Sequence, residues 1–457
     1  MKELTLKQIA DWCGGTVAPE YETVPVTGVE SDSRKVEVGD LFVALRGERV
    51  DGHDFIPSAK TLGASAALVS RPSEELPCVV VESPLRAYGE IAKHYREMTG
   101  VKVVGITGSV GKTTTKEMIA SVLSRDFKLY KSEGNHNNDI GLPMTVMDMP
   151  EDTELLVAEM GTNHPGEIAY LSAIAQPDYA VITNIGIAHI EYLGSREGIL
   201  REKLDILRSS LKNTVGIFNG DEPLLWNVRD KGTHKKYYFG IDNPSCDVVA
   251  SGIQELDDGM RFHVSGFHHE FELFVPALGR HMVYNALAAA TVGLAMGVKP
   301  ETIQNELSIF RNTGMRQKIY EKNGMTIIED CYNAGPESTE AALGVLASVK
   351  TSGKRIAVLG DMLELGNRSS AEHYRIGRIA AQKADLLLTY GAHSVRTVTG
   401  AITGGMSPKN AEHFDTHEDL VRMLKMRAGE ADAILFKGSR GMKMERVLQM
   451  FLDDHEA

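Results

Sequence analysis

Residues 102–123, KVVGITGSVGKTTTKEMIASVL, decide the fold. KVVGIT is apolar enough for a buried strand, GSVGKTT is a glycine-broken turn, and Met118, Ile119, Val122 and Leu123 recur at helical spacing. A strand, a glycine-rich loop and a helix in that order bring backbone N–H groups and a helix N-terminus onto one anion. Thr107, Gly108, Ser109, Val110, Gly111, Lys112, Thr113 and Thr114 are therefore expected to hold nucleotide phosphates, Lys112 neutralising the β- and γ-phosphates and the Thr113 hydroxyl reaching magnesium. The strict pattern G-x-x-x-x-G-K-[ST] is not met, because Ile106 stands where its first glycine belongs. A lone Gly-Lys-Thr could be only a turn that opens a helix. The strand before it and the helix after it favour nucleotide binding, without choosing among kinase, GTPase switch and ligase.

The alternation continues outward. ELLVAEMG (154–161), YAVITNIG (179–186) and VGIFNG (215–220) read as further strands between helical segments, the pattern of a mostly parallel sheet covered on both faces. Residues 237–276 read as antiparallel strands, and 281–297 as a helix of small residues that closes this unit. A helical stretch from Pro84 precedes it. Before that, LFVAL, AALVS and CVVVE alternate with turn-rich pieces and form a small α/β unit. After about residue 313 the alternation restarts through MTIIEDCY, PESTEAALGVLASV, RIAVLGD, a helix near 370–384, DLLLTYG, AILFKGS and a last helix. The predicted class is α/β in three domains: 1–83, a small N-terminal α/β domain; 84–313, a central P-loop, doubly wound parallel-sheet nucleotide-binding domain; and 314–457, a C-terminal Rossmann-like domain.

A formal net charge of −13 argues against nucleic acid or an anionic membrane as a partner held by bulk electrostatics, so any phosphate must meet locally concentrated donors. The four cysteines, Cys13, Cys78, Cys246 and Cys331, show neither metal-ligand nor disulfide spacing. The N-terminal MKELTLKQIADW is amphipathic rather than signal-like, and no run approaches the roughly 18 apolar residues of a membrane span. A cytoplasmic protein without a membrane span is expected.

Three more residues stand out near the phosphate loop. Glu159 ends one strand and His189 follows another, so both should emerge at the carboxyl edge where such sheets hold ligands, and an oxygen-preferring magnesium suits Glu159 better than His189. Each could also be an ordinary strand-end or loop residue. Lys203, in SREGILREKLDILRSS (195–210), lies three after Leu200 and four before Leu207, on the buried stripe of its helix. Its stem could snorkel to solvent. Alternatively, desolvation favours a neutral amine, which takes up carbon dioxide to become a carbamate and a magnesium ligand.

TGSVGKTTTKEM, EGNHNNDIGLPMTV, VAEMG, TNIGIAHIEYLGS and Lys203 together resemble the Mur ligase family over nearly the whole chain. GNHNND-IGLP, EDCYNAGPESTEAAL and FKGSRGMKME resemble the members that add D-alanyl-D-alanine, and the Asn-Pro-Arg signature expected of a diaminopimelate-adding member is absent from the sequence. The resemblance implies an ATP-dependent amide ligase that joins D-alanyl-D-alanine to UDP-N-acetylmuramoyl-tripeptide through an acyl phosphate in cell-wall synthesis, with a monomer expected. Another ligase of the same chemistry, folylpolyglutamate synthase-like or an earlier-acting muramoyl-peptide ligase, is the nearest alternative, and a nucleotide-driven switch a more distant one.

At matching positions the resemblance implies ATP, two magnesium ions at Thr113, Glu159, His189 and carbamylated Lys203, Asn285 near the adenine, and Arg316 and Asp330 reaching the nucleotide from the third domain. Catalysis is expected of Lys112, Lys203, His189 and Glu159. Taken alone, Asn285 could pack in its helix, Arg316 be a linker charge and Asp330 a turn former. For the UDP-sugar substrate the candidates are Ser31, Asp32, Ser33 and Arg34, which an ordinary turn would also explain, with Asn137 and Asn138 for the peptide. Asn333 is a further substrate candidate, and Lys437, Ser439 and Arg440 suit the dipeptide carboxylate unless KGSR is a solvated turn. The family's usual Tyr-Asn-Ala-Asn-Pro here has Gly335 in place of its second asparagine, and Cys331 stands where serine is common.

Overall fold

A computed structural model describes residues 1–47, 49–208 and 213–453. Ser209 and Ser210, at the end of the predicted Lys203 helix, and residues 454–457 of the third segment lie outside the described residues.

Among the described residues, nine strands form the central sheet, in the order His269–Val275, Met260–Gly266, Val248–Glu255, Lys236–Gly240, Val215–Asn219, Tyr179–Ile182, Lys102–Thr107, Leu155–Glu159, Leu129–Lys131. The strand Lys102–Thr107 sits inside it, parallel to both neighbours, with Ile106 opposite Glu159 and Thr107 opposite Ile182. That register gathers the loops after three strands at one carboxyl edge, where open α/β sheets hold ligands. Helix Lys112–Leu123 covers one face, its Met118, Ile119, Val122 and Leu123 fully buried, and packs against helix Arg280–Ala295.

The antiparallel reading of 237–276 needs correction at its start. Lys236–Gly240 runs parallel to Val215–Asn219 and to the beginning of Val248–Glu255; the antiparallel pairs begin only with Val248–Glu255 and Met260–Gly266. Burial explains the difference. Tyr238, Phe239 and Gly240 are all buried, as in an interior parallel strand, whereas Met260–Gly266 alternates buried and exposed positions up to its last residue.

The N-terminal sheet is parallel, built among the described residues from Gly28–Glu30, Asp40–Val43, Ala66–Val69 and Cys78–Val80. Helix Pro84–Thr99 packs on helix Leu6–Cys13 of this unit and on helices Gly141–Met147 and Glu167–Ala175 of the central one. The third sheet runs Lys318–Lys322, Met325–Asp330, Ala433–Lys437, Arg355–Gly360, Leu386–Tyr390, Ala411–Phe414, parallel except for its first strand. Asp330 and Leu359 both pair with Lys437, so the carboxyl edge of this sheet carries Asp330, Lys437 and the loop after Gly360. Among the described residues no helix is long and apolar enough to cross a membrane.

Candidate active site

The phosphate loop is held open toward its ligand by backbone geometry. Gly111 caps helix Lys112–Leu123 at φ 84 with no side-chain hydrogen bond, so the first N–H groups of the helix are left for an anion. Gly108 fits only because it has no side chain: a Cβ there would lie 1.8 Å from Thr183 Oγ1. Lys112 Nζ donates to Gly108 O at 2.8 Å and so spans the loop. Burial pulls the Lys112 ammonium below its ordinary range, and the nearby Arg316 adds to this, while Glu159 counteracts it.

Glu159 ends its strand 2% exposed and uses both carboxylate oxygens: Thr113 Oγ1 donates to Oε2 at 2.7 Å and Asn137 Nδ2 to Oε1 at 2.8 Å. Its own N–H reaches Ser132 Oγ at 3.2 Å, and buried Lys116 Nζ donates to Ser132 O at 2.6 Å. A hydroxyl beside a charged, aimed carboxylate at a helix N-terminus is the oxygen donor set that a magnesium ion on nucleotide phosphates takes. Thr113 and Glu159 fit that ion.

Lys203 is 2% exposed in helix Arg196–Leu204, and among the described residues its Nζ makes no hydrogen bond or ion pair. Desolvation pushes its pKa well below the ordinary lysine range; Lys112 pushes the same way, and Glu202 opposes them. Glu202 itself is tied down by the N–H groups of Gly166 at 2.7 Å and Ile168 at 2.8 Å. A buried amine whose charged form is disfavoured by desolvation and by Lys112 fits carbamate formation, because carbon dioxide adds to an unprotonated amine and the new negative charge would answer Lys112.

Three family descriptions match: "Mur ligase family, catalytic domain" over 25–108, "Mur ligase middle domain" over 106–293, and "Mur ligase, glutamate ligase domain" over 315–440. Bacillus subtilis (strain 168) has a relative named UDP-N-acetylmuramoyl-tripeptide--D-alanyl-D-alanine ligase, 41% identical over 99% of each chain. The chain belongs to the Mur ligase family. An Escherichia coli (strain K12) relative of the same name is 35% identical over 98% of each chain. MurF from Acinetobacter baumannii superposes with a TM-score of 0.91 at 32% identity, covering 99% of both chains. MurF ligase from Thermotoga maritima, solved in complex with ADP, gives 0.84 at 30% identity over 94% of this chain and 98% of that one.

In this Mur ligase the other predicted residues divide by what they touch. His189, at φ 58, turns its Nδ1 to Glu364 Oε2 at 2.5 Å, in ion-pair range but without hydrogen-bond alignment, so it faces the third domain. Asn285 lies behind the loop: Thr115 Oγ1 donates to its Oδ1 at 3.2 Å, and a Cβ on Gly111 would come within 2.8 Å of that oxygen. Arg316 stacks on Tyr332, 3.7 Å from the ring centroid. Asp330 accepts from Lys437 Nζ at 2.6 Å, and Lys437 also donates to Asn333 O at 2.9 Å. Ser439 Oγ donates to Ala334 O at 3.0 Å, and Asn333 Oδ1 accepts from Arg440 N at 3.3 Å. Asp330, Asn333, Ala334, Lys437, Ser439 and Arg440 thus form one cluster at the edge of the third sheet.

Ser31, Asp32, Ser33 and Arg34 form a turn in which Arg34 grips Asp32 and Glu30 Oε1 accepts from the N–H groups of Ser31 and Asp32. Asn138 accepts from Gly141 N at 2.8 Å and so starts helix Gly141–Met147. Sequence reasoning passed over Asn184, Glu337 and Glu364. Asn184 stood in the quoted TNIG, but only the folded chain shows its Oδ1 accepting from Ser109 N and Val110 N.

Proposed function

We propose that this chain uses ATP to join the amine of D-alanyl-D-alanine to the terminal carboxylate of UDP-N-acetylmuramoyl-tripeptide, a step of peptidoglycan precursor synthesis in the cytoplasm, and that it acts as a monomer. The names of its full-length relatives support the substrate pair. The single structural observation that carries the reading is the pair of apposed sheet edges. The third domain sits on the phosphate-loop side of the central domain, Glu337 Oε1 accepting from Ile187 N at 2.9 Å and Glu364 meeting His189.

A carboxylate cannot expel oxide, so amide formation needs activation. The tripeptide carboxylate attacks the γ-phosphorus of ATP, ADP leaves, and an acyl phosphate remains; the dipeptide amine then adds to the acyl carbon, loses a proton, and phosphate departs. Lys112 and the N–H groups at the helix start balance the charge that builds on the transferring phosphoryl group. Thr113 and Glu159 hold magnesium, with His189 and carbamylated Lys203 as further ligands of two ions, and these ions supply Lewis-acid screening of the phosphates. Asn285, Arg316 and Asp330 complete the nucleotide site. Ser31, Asp32, Ser33 and Arg34 receive the UDP-sugar, Asn137 and Asn138 border the peptide, and Asn333, Lys437, Ser439 and Arg440 take the dipeptide carboxylate. Docking of the third domain excludes water, which would hydrolyse an acyl phosphate.

The test is the product. Incubation with ATP, magnesium, UDP-muramoyl-tripeptide and D-alanyl-D-alanine should give UDP-muramoyl-pentapeptide by mass spectrometry, whereas glycine or L-glutamate as the amine should give none. Turnover of ATP at the same rate without any amine would instead mark a nucleotide-driven switch.

A further inference from the structure

The segment 183–190 touches two machines at once. At its start it grips the phosphate loop: Asn184 Oδ1 accepts from Ser109 N at 3.1 Å and Val110 N at 2.9 Å, and Asn184 Nδ2 donates to Val110 O at 3.2 Å. Thr183 Oγ1 donates to Val110 O at 2.6 Å, and Gly186 N donates to Ser109 Oγ at 2.9 Å. At its end the segment meets the third domain. Glu337, in the first turn of helix Pro336–Ser348, accepts from Ile187 N at 2.9 Å, and a Cβ on Gly186 would come within 2.8 Å of the same carboxylate oxygen. Glu364 faces His189, and a Cβ on Gly366 would lie 3.3 Å from Glu191.

Glu337 is poorly used if its purpose is stability. Its second oxygen, Oε2, is buried without a hydrogen-bond partner among the described residues, and burial raises the nearby Glu222 carboxyl, with a smaller push in the same direction from Glu337. A desolvated carboxylate oxygen costs free energy, so the contact calls for a functional account. Arg196 steadies the same stretch by donating to Ile185 O at 2.6 Å and to Glu222 Oε1 at 2.7 Å.

We propose that Asn184 and Glu337 are positioning residues at the two ends of one coupling segment, through which docking of the third domain sets the shape of the phosphate loop. Glu337 makes no hydrogen bond to the loop among the described residues; it acts by fixing Ile187 and Gly186, whose N–H holds Ser109. Asn184 fixes the loop directly. Shape is set because each N–H engaged by Asn184 is aimed by that bond, so displacing the segment re-aims the loop. Only the turnover arm of the test rests on the ligase reading; the ADP arm does not.

The experiment is a double-mutant cycle on the full chain with Asn184→Ala and Glu337→Ala, read by calorimetric ADP affinity in magnesium buffer and by kcat/KM for phosphate release. Each single change should lower kcat/KM by about tenfold to a hundredfold, the effect of losing a hydrogen bond to a charged or loop-shaping group. ADP affinity should fall in Glu337→Ala although Glu337 lies in another domain. The double variant should be no more than about threefold worse than the weaker single one, since one path is cut once or twice. Glu337→Gln, which keeps an acceptor oxygen for Ile187 N–H, should recover most of the loss. Lys350→Ala, which breaks the exposed Lys350–Asp257 pair elsewhere between the two domains, should leave both readouts unchanged. Should Glu337→Ala prove unstable to heat, Glu337→Asp, one methylene too short to reach Ile187, replaces it. Losses that multiply in the double variant, or unchanged ADP affinity in every Glu337 variant, would overturn the proposal.

Discussion

Replacing Glu159 by glutamine separates the chemical role of the carboxylate from its structural one. The wild-type carboxylate is 2% exposed and accepts two hydrogen bonds, from Thr113 Oγ1 at 2.7 Å and Asn137 Nδ2 at 2.8 Å. An amide of the same shape has one acceptor oxygen and one donor nitrogen. Asn137 Nδ2 can only donate, so the new oxygen must face it; the Thr113 hydroxyl can rotate and accept from the new NH2 group. One buried hydrogen bond is kept and the other reversed, which costs about 1 kcal/mol of stability. The charge is lost outright, beside the Lys112 ammonium and the place where phosphates bind. Removing one preorganised electrostatic group from a reacting centre costs about a hundredfold to a thousandfold in kcat. Glu159→Gln should therefore melt within a few degrees of the wild type, lose at least about a hundredfold in phosphate release, and need more magnesium for half-maximal rate. Activity within about threefold of the wild type at every magnesium concentration would refute the assignment, and a collapse in Tm would refute the structural half of the reasoning.

Lys203→Ala should lose most activity, and short carboxylic acids added to the assay should restore part of it by standing in for the carbamate; full activity of the unsupplemented variant would end that idea. Gly108→Ala should abolish ADP binding in calorimetry, because its Cβ would lie 1.8 Å from Thr183 Oγ1 and the loop would have to move. Partial burial, with repulsion from Glu30 and Glu133, pushes the Asp148 carboxyl up to about 6 from 3.8. The folded state thus binds that proton more tightly than the unfolded chain, and stability falls as pH rises through that interval. Asp148→Asn should raise Tm at pH 8 and leave it unchanged at pH 3, and a Tm gain at acid pH alone would reverse the sign.

The parts legible in sequence were those written locally. The phosphate loop announced itself because strand, glycines and helix are contiguous, and Lys203 because a charge fell on an apolar stripe. Asn184 and Glu337 did not, since their meaning lies in contacts across 74 and 150 residues of chain. Asn137 was read as a substrate contact because EGNHNN is unusually polar; its amide turns out to spend a donor on Glu159, 22 residues away. In the third domain, the strand Lys318–Lys322 was missed because it is a charged edge strand with no buried residue, so it lacks the apolar run that marked its neighbours. The parallel start at Lys236–Gly240 was misread because strand direction depends on the partner rather than on the strand itself.

The central claim is that an acyl phosphate links ATP to the new amide bond. Supplying UDP-muramoyl-tripeptide with ¹⁸O in its terminal carboxylate, together with ATP and D-alanyl-D-alanine, tests it directly, because the attacking carboxylate oxygen leaves with the phosphate. Mass spectrometry should find one ¹⁸O atom in each phosphate formed from fully labelled carboxylate and the other in the amide carbonyl. Unlabelled phosphate released alongside pentapeptide would contradict the account.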